Sequence, residues 1–163
     1  MADTGEIFAF LELEGVEGES TDSKYNKHLA LQSVGWGATN SGTYSQGSGP
    51  SSQSKGQLHD ISFSKYMCKA SLRLLELALT GKPVKNGTLS LVKGSDKTAY
   101  FQVKLEDVLV TAFHMSANGG ILPMESCTIS YVVAKPEYKV QENDGTASSK
   151  VHWGWNTQKN EPC

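Results

Sequence analysis

Apolar and polar residues alternate along most of this chain. Ile7, Ala9, Leu11 and Leu13 interleave with Phe8, Phe10 and Glu12, the period of a strand with one face in a core. Leu29 and Leu31 begin a second alternation, which Val34 and Trp36 continue one residue out of phase. A slip of one residue would turn the later side chains to the wrong face, so a bulge is expected near Gln32-Ser33. His59, Ile61 and Phe63 mark another strand, and Thr88–Lys93 and Ala99–Leu105 flank a Gly94-Ser95-Asp96-Lys97 turn. The run Phe101, Val103, Leu105 breaks at Glu106-Asp107 and restarts at Val108, Val110 and Ala112. Cys127, Ile129, Tyr131 and Val133 predict a long strand that continues through Tyr138 and Val140. Asn118-Gly119-Gly120 is a flexible connection, and Asn143-Asp144-Gly145 turns the chain toward Val151, Trp153 and Trp155.

One segment has helical spacing. Cys68, Leu72, Leu75 and Leu79 fall at i, i+4, i+7 and i+11 and predict a single apolar stripe against the outside of the sheet. Ser71 is placed to cap the N-terminus, Gly81 to take the left-handed position at the exit, and Pro83 to stop continuation. Many short strands, turn signals and one short helix predict a mainly β fold: a small β-barrel or two packed sheets.

From Gly42 to Gly56 the pattern lapses into Gly, Ser and Gln, with one Pro50. Such a stretch buries too little surface to offset the entropy of ordering it, and it is long for a hairpin loop. Two readings stay open: a tolerated surface insertion, or an arm that orders on a neighbouring subunit.

Composition narrows the classes. A chain of 163 residues fits one domain that buries roughly 70% of its unfolded surface. The formal charge of -2 speaks against a general nucleic-acid binder, which needs a basic face. Mean hydropathy is -0.36 and no long apolar run is present, so no membrane insertion is expected. The acidic N-terminus, Met1 to Glu6, has no basic-then-apolar pattern of a signal peptide. Cys68, Cys127 and Cys163 form no close pair, which suits reduced thiols.

The chain shows no catalytic pattern. His28, His59, His114 and His152 are scattered, with no H-E-x-x-H and no Cys-x-x-Cys, so no metal is expected. No G-x-S-x-G elbow occurs, and Gly35-Trp36-Gly37 lacks the third Gly and helix of a dinucleotide loop. Glu106 and Asp107 fit a bulge or a solvated rim better than an acid pair. Trp36, Trp153 and Trp155 suit packing better than sugar or base stacking. No enzyme and no cofactor are expected.

The polar turn Gly15-Val16-Glu17-Gly18-Glu19-Ser20 after Leu11-Glu12-Leu13-Glu14 has no chemistry of its own, yet it heads an ordered series. His59-Asp60-Ile61-Ser62-Phe63-Ser64-Lys65-Tyr66 follows, then Lys69-Ala70-Ser71-Leu72 through Thr80-Gly81-Lys82. Val103 through Val110 and Pro136-Glu137-Tyr138-Lys139 through Gly145 complete it. In order and spacing the series resembles the haemolysin-coregulated proteins (Hcp) of the bacterial type VI secretion system, nearly end to end.

The resemblance implies a two-sheet, tail-tube-like β-barrel with one flanking helix, spanning residues 1–163 as a single domain. It implies a homohexameric ring and rings stacked into an inner tube that is ejected when the sheath contracts. Sheath, baseplate and spike proteins and effector cargo are the implied partners, and export from the bacterial cytoplasm by the type VI machine is the implied route. The alternative is a soluble β-barrel binding module, or a dedicated effector chaperone outside the main tube. Gly42, Tyr44, Gln46, Ser48, Pro50, Ser52 and Gln53 are the candidate ring-stacking arm, and Ser33, Gly35 and Trp36 the candidate lumen or interface strand. Many relatives carry Trp-Ser-Trp-Gly where this chain has Val34-Gly35-Trp36-Gly37, so Gly35 stands where they place a hydroxyl. The Gly15–Lys24 turn is expected at the barrel's rim.

Overall fold

A computed structural model of the chain describes residues 9–42, 55–93, 98–141 and 147–163. Ile7, Phe8, the Gly94–Lys97 turn and the Asn143–Gly145 turn lie outside the described residues, as does the candidate arm from Tyr44 to Gln53.

In chain order the strands are β1 (Ala9–Leu13), β2 (Leu29–Leu31), β3 (Ser33–Gly35), β4 (Ala38–Thr39), β5 (Gln57–Leu58) and β6 (Ile61–Tyr66). Helix α1 (Ser71–Thr80) follows. Then come β7 (Val84–Lys93), β8 (Thr98–Ser116), β9 (Met124–Ser130), β10 (Val133–Gln141), β11 (Ala147–His152), β12 (Trp155–Asn156) and β13 (Glu161–Pro162). All pairings are antiparallel.

One layer runs β12-β10-β8-β7-β1-β2, with β11 also on β10; the second runs β8-β9-β6-β3. The long strand β8 belongs to both layers. It bends where Asp107 takes a left-handed backbone (φ 53°), opposite the break between β9 and β10 at Tyr131-Val132. Val132 N donates to Glu106 O at 3.0 Å across that joint. The expected single strand from Cys127 to Val140 is therefore two successive strands, interrupted where the ladder turns from one layer into the other. On the other side, β2 pairs β1 and β3 pairs β6, with only Gln32 between them. Gln32 N donates to Ser64 O at 2.7 Å, so the pairings return to β1 in a closed circuit. The phase slip in the sequence is this joint: Leu29 and Leu31 are buried before it, and Val34 and Trp36 pack on the core after it.

Leu11, Leu13, Leu29, Leu31, Ile61, Leu89, Val103, Leu105, Val110 and Ile129 fill the space between the layers. Each such side chain removed from water stabilises the fold by roughly 1.5–3 kcal/mol. A smaller cluster lies outside β1, where Phe10 stacks on Tyr25 with centroids 4.5 Å apart and Val92 and Ala99 join it. It roofs the loop from Glu14 to His28.

Helix α1 packs on β8, but not with the expected face. Ala70, Ser71, Leu74 and Leu77 are buried, whereas Leu72 and Leu79 are 78% and 79% exposed and Leu75 37%. The helix has two apolar stripes, and a polar anchor selects the inner one. Ser71 is the first helical residue rather than the cap; its Oγ accepts Cys68 N at 3.0 Å and lies 3.3 Å from Lys65 Nζ. Ala70 occupies the cap position without a side-chain bond, and Gly81 closes the helix at φ 65°, its N donating to Leu77 O.

Candidate functional site

Strand alternation gives β3, β6 and β9 two unlike faces. Inward, Val34, Ile61, Phe63, Cys127 and Ile129 meet the core. Outward, the register aligns Ser33, Ser64, Ser126 and His114 in one row across four strands. The next row holds Gly35, Ser62, Thr128 and Ala112. Ser33, Gly35, Ser62, Ser126 and His114 are exposed, and Ser64, Thr128 and Ala112 half-buried. None of these positions is Lys, Arg, Asp or Glu. The hydroxyls partly satisfy one another, as in the 2.5 Å contact between Ser33 Oγ and Ser64 Oγ. The outcome, over these two rows, is a stretch of sheet face built of hydroxyls, a glycine, an alanine and one histidine, with no carboxylate, ammonium or guanidinium.

The three residues of the candidate lumen strand divide between the faces. Ser33 and Gly35 lie on the hydroxyl face, and a Cβ at Gly35 would meet only Ser62 O, 4.0 Å away. Trp36 turns inward. Its ring lies 6.5 Å from Phe101 and 6.4 Å from Tyr131, and its Nε1 donates to the Tyr131 hydroxyl at 2.5 Å. That hydroxyl donates in turn to His59 O at 2.5 Å. Burial, opposed by the Trp36 hydrogen bond, raises the Tyr131 phenol to about 12, so it stays a neutral donor. Gly35, Trp36, Gly37, Gln57, His59, Asp60 and Ser62 border an open cleft of about 550 Å³ at this end. Of the candidate arm, Gly42 alone is among the described residues; it is exposed, and its N donates to Asn40 Oδ1 at 2.8 Å.

The Glu17–Glu19 turn secures the helix start. Glu19 Oε1 accepts Lys69 N at 2.9 Å, and Glu17 lies 3.2 Å from Lys27 Nζ and 3.4 Å from Lys69 Nζ. These two lysines hold the Glu17 carboxyl below its ordinary range. Glu106 pairs with Lys135 at 2.9 Å, both side chains half-exposed, within the ladder beside the Asp107 bend.

A further apolar line was not read from the pattern. From Leu31 the register runs through Ala9, Leu91, Phe101, Tyr138 and Val151, on six successive strands. The second layer covers its first members, but Tyr138 is 46% and Val151 59% exposed where β10 and β11 extend past it. The signal lay in the alternation of β10 and β11; only pairing could show that it prolongs the core face.

Among the described residues no group of three His, Cys, Asp or Glu is placed to hold a metal ion, and no helix is long and apolar enough to cross a membrane. The fold and its surfaces define a mainly β, two-layer barrel of antiparallel strands with one flanking helix, bearing a neutral hydroxyl face and uncovered apolar faces. The chain belongs to the family described as "Type VI secretion system effector, Hcp", whose model matches residues 10–138. It is similar to the protein hcp1 of Pseudomonas aeruginosa, 28% identical over 110 residues, 65% of this chain and 68% of that protein. A solved type six secretion system protein superposes with a TM-score of 0.89 at 29% identity, covering 96% of this chain and 99% of that one. Hcp1 from Salmonella typhimurium superposes at 0.78 with 25% identity, covering 96% and 98%. This is a type VI secretion protein.

Proposed function

We propose that the chain is a structural subunit that closes into a homohexameric ring, and that rings stack into the inner tube through which effectors travel. The carrying observation is the hydroxyl face of β3, β6, β9 and the end of β8. A transport channel needs a wall that wets and releases its cargo, and short neutral side chains meet that need because they form no buried charge pairs or deep apolar contacts. In this reading that face lines the channel, with Ser33 and Gly35 in the wall and Trp36 bracing it from behind. The uncovered apolar residues of α1 and of the β10–β11 hairpin supply subunit contacts, since a ring closes only through two different surfaces on each copy. The Gly42–Gly56 arm contributes to stacking, with sheath, baseplate, spike and cargo as partners and no catalytic role.

Light scattering and negative-stain imaging of purified protein test the reading. Hexameric rings that stack into tubes are expected; a strict monomer at high concentration would overturn it.

A further inference from the structure

The connection between β8 and β9 holds a chemical feature outside the faces described so far. Asn118 is followed by Gly119, both are exposed, and a Cβ at Gly119 would meet nothing within 4 Å. Among the described residues nothing is hydrogen-bonded to the Asn118 side-chain amide or to the Gly119 N–H; the Asn118 carbonyl accepts only a long bond of 3.4 Å from Ile121 N. The chain contains a second Asn-Gly pair, Asn86-Gly87, in the opposite condition. Asn86 Nδ2 donates to Glu14 Oε2 at 3.0 Å, its carbonyl accepts Glu14 N at 3.0 Å, and Gly87 is buried against Leu13 in the middle of a three-strand ladder.

We infer that Asn118 is a site of spontaneous conversion to aspartate and isoaspartate, and that Asn86 is protected from the same reaction. Gly119 N attacks Asn118 Cγ, a C–N bond forms, the nitrogen's proton passes to the departing amide, and ammonia leaves. Water then opens the cyclic imide at either carbonyl, giving aspartate or its β-linked isomer. The step needs only water and a backbone free to bring N onto Cγ. Glycine allows this because no side chain obstructs the approach and its backbone is permissive. In β7 the ladder and the Glu14 bond hold Asn86 away from that geometry, so reaction there waits on opening of the sheet.

The product changes a distinctive surface. Ser116–Met124 contains no charged residue, and Met115, Ile121 and Leu122 are exposed beside it. Conversion sets a carboxylate among them, so the charge of this end of the barrel records the age of the chain.

Peptide mapping of folded, full-length protein, fresh and after prolonged incubation at mildly alkaline pH, tests this. The Asn118 peptide should gain about one dalton and accept methyl groups from an isoaspartyl methyltransferase. Conversion at Asn118 should exceed that at Asn86 by at least roughly tenfold when folded, and the two rates should converge in denaturant. Gly119→Ala should slow the reaction at Asn118 without altering unfolding. Equal rates at both sites in folded protein, or an unchanged Asn118 after an incubation that converts the denatured chain, would overturn the inference.

Discussion

Lys65 and Glu125 face each other across the β6–β9 ladder, Nζ 2.5 Å from Oε2, with side chains 1% and 0% exposed. Lys65 Nζ also reaches Tyr66 O at 3.1 Å, Cys68 Sγ at 3.3 Å and Ser71 Oγ at 3.3 Å, while the Glu125 oxygens accept no well-aligned hydrogen bond among the described residues. The pair thus ties the end of β6 to the start of α1. Desolvating two charges consumes most of their attraction, but removing one partner strands the other in the core. Lys65→Met or Glu125→Leu alone should lower unfolding free energy by about 3–5 kcal/mol. The double replacement should recover most of that in denaturant unfolding; additive losses would show that the pair is not the coupling element.

Gly18 predicts a sharp asymmetry with Gly35. A Cβ at Gly18 would sit 2.3 Å from His28 O and 2.6 Å from its carbonyl carbon, so the loop must move to admit a methyl group. Gly18→Ala should destabilise by roughly 1–3 kcal/mol, the usual scale of overpacking. Gly35→Ser meets nearly open space and should change the midpoint little. Comparable losses at both positions in thermal unfolding would refute the steric account.

Alkaline pH should destabilise the fold through two buried acids. Burial raises the Cys127 thiol from 9.0 to about 12, with nearby Lys65 opposing, and raises Tyr131 from 10.0 to about 12. The unfolded chain releases these protons first, so stability is fully present below about pH 9 and falls as pH rises toward 12. Cys127→Ala should remove the part that begins near pH 9, whatever its effect on the neutral baseline. Stability measured against pH, with phenolate absorbance followed in parallel, checks this. Tyr131→Phe should in addition lose about 1–3 kcal/mol at neutral pH, because Trp36 Nε1 and His59 O both lose their partner.

What the chain disclosed beforehand depended on whether one residue pattern had one structural solution. The slip between Leu31 and Val34 has one, a displaced residue at Gln32, and the helix exit at Gly81 has one as well. The helix face did not. Leu72, Leu75 and Leu79 satisfy helical spacing as well as Ala70, Leu74 and Leu77 do, and the choice rests on Ser71 and Lys65, polar residues that a hydrophobic pattern ignores. The hydroxyl face was half legible. Ser62, Ser64, Ser126, Thr128 and Ser130 are the polar halves of their strands, but their alignment with Ser33 and Gly35 depends on long-range register. Nearness in sequence groups Trp36 with Ser33 and Gly35, and strand alternation separates it from them.

The two stripes of α1 should separate folding from assembly. Leu74 is 0% exposed in the core, so Leu74→Ala should cost about 2–5 kcal/mol of stability and act on every property that needs a folded chain. Leu72 and Leu79 face outward, and charge there removes no packing within the chain. Leu72→Glu with Leu79→Glu should leave the monomer's unfolding midpoint within about 0.5 kcal/mol of the original. If the outer stripe contacts a neighbouring copy, the same pair of changes should shift sedimentation from rings to monomers, because burying carboxylates against an apolar partner is strongly unfavourable. Rings that persist unchanged would place the subunit contact elsewhere, leaving the Tyr138–Val151 face of the β10–β11 hairpin as the surface to substitute next.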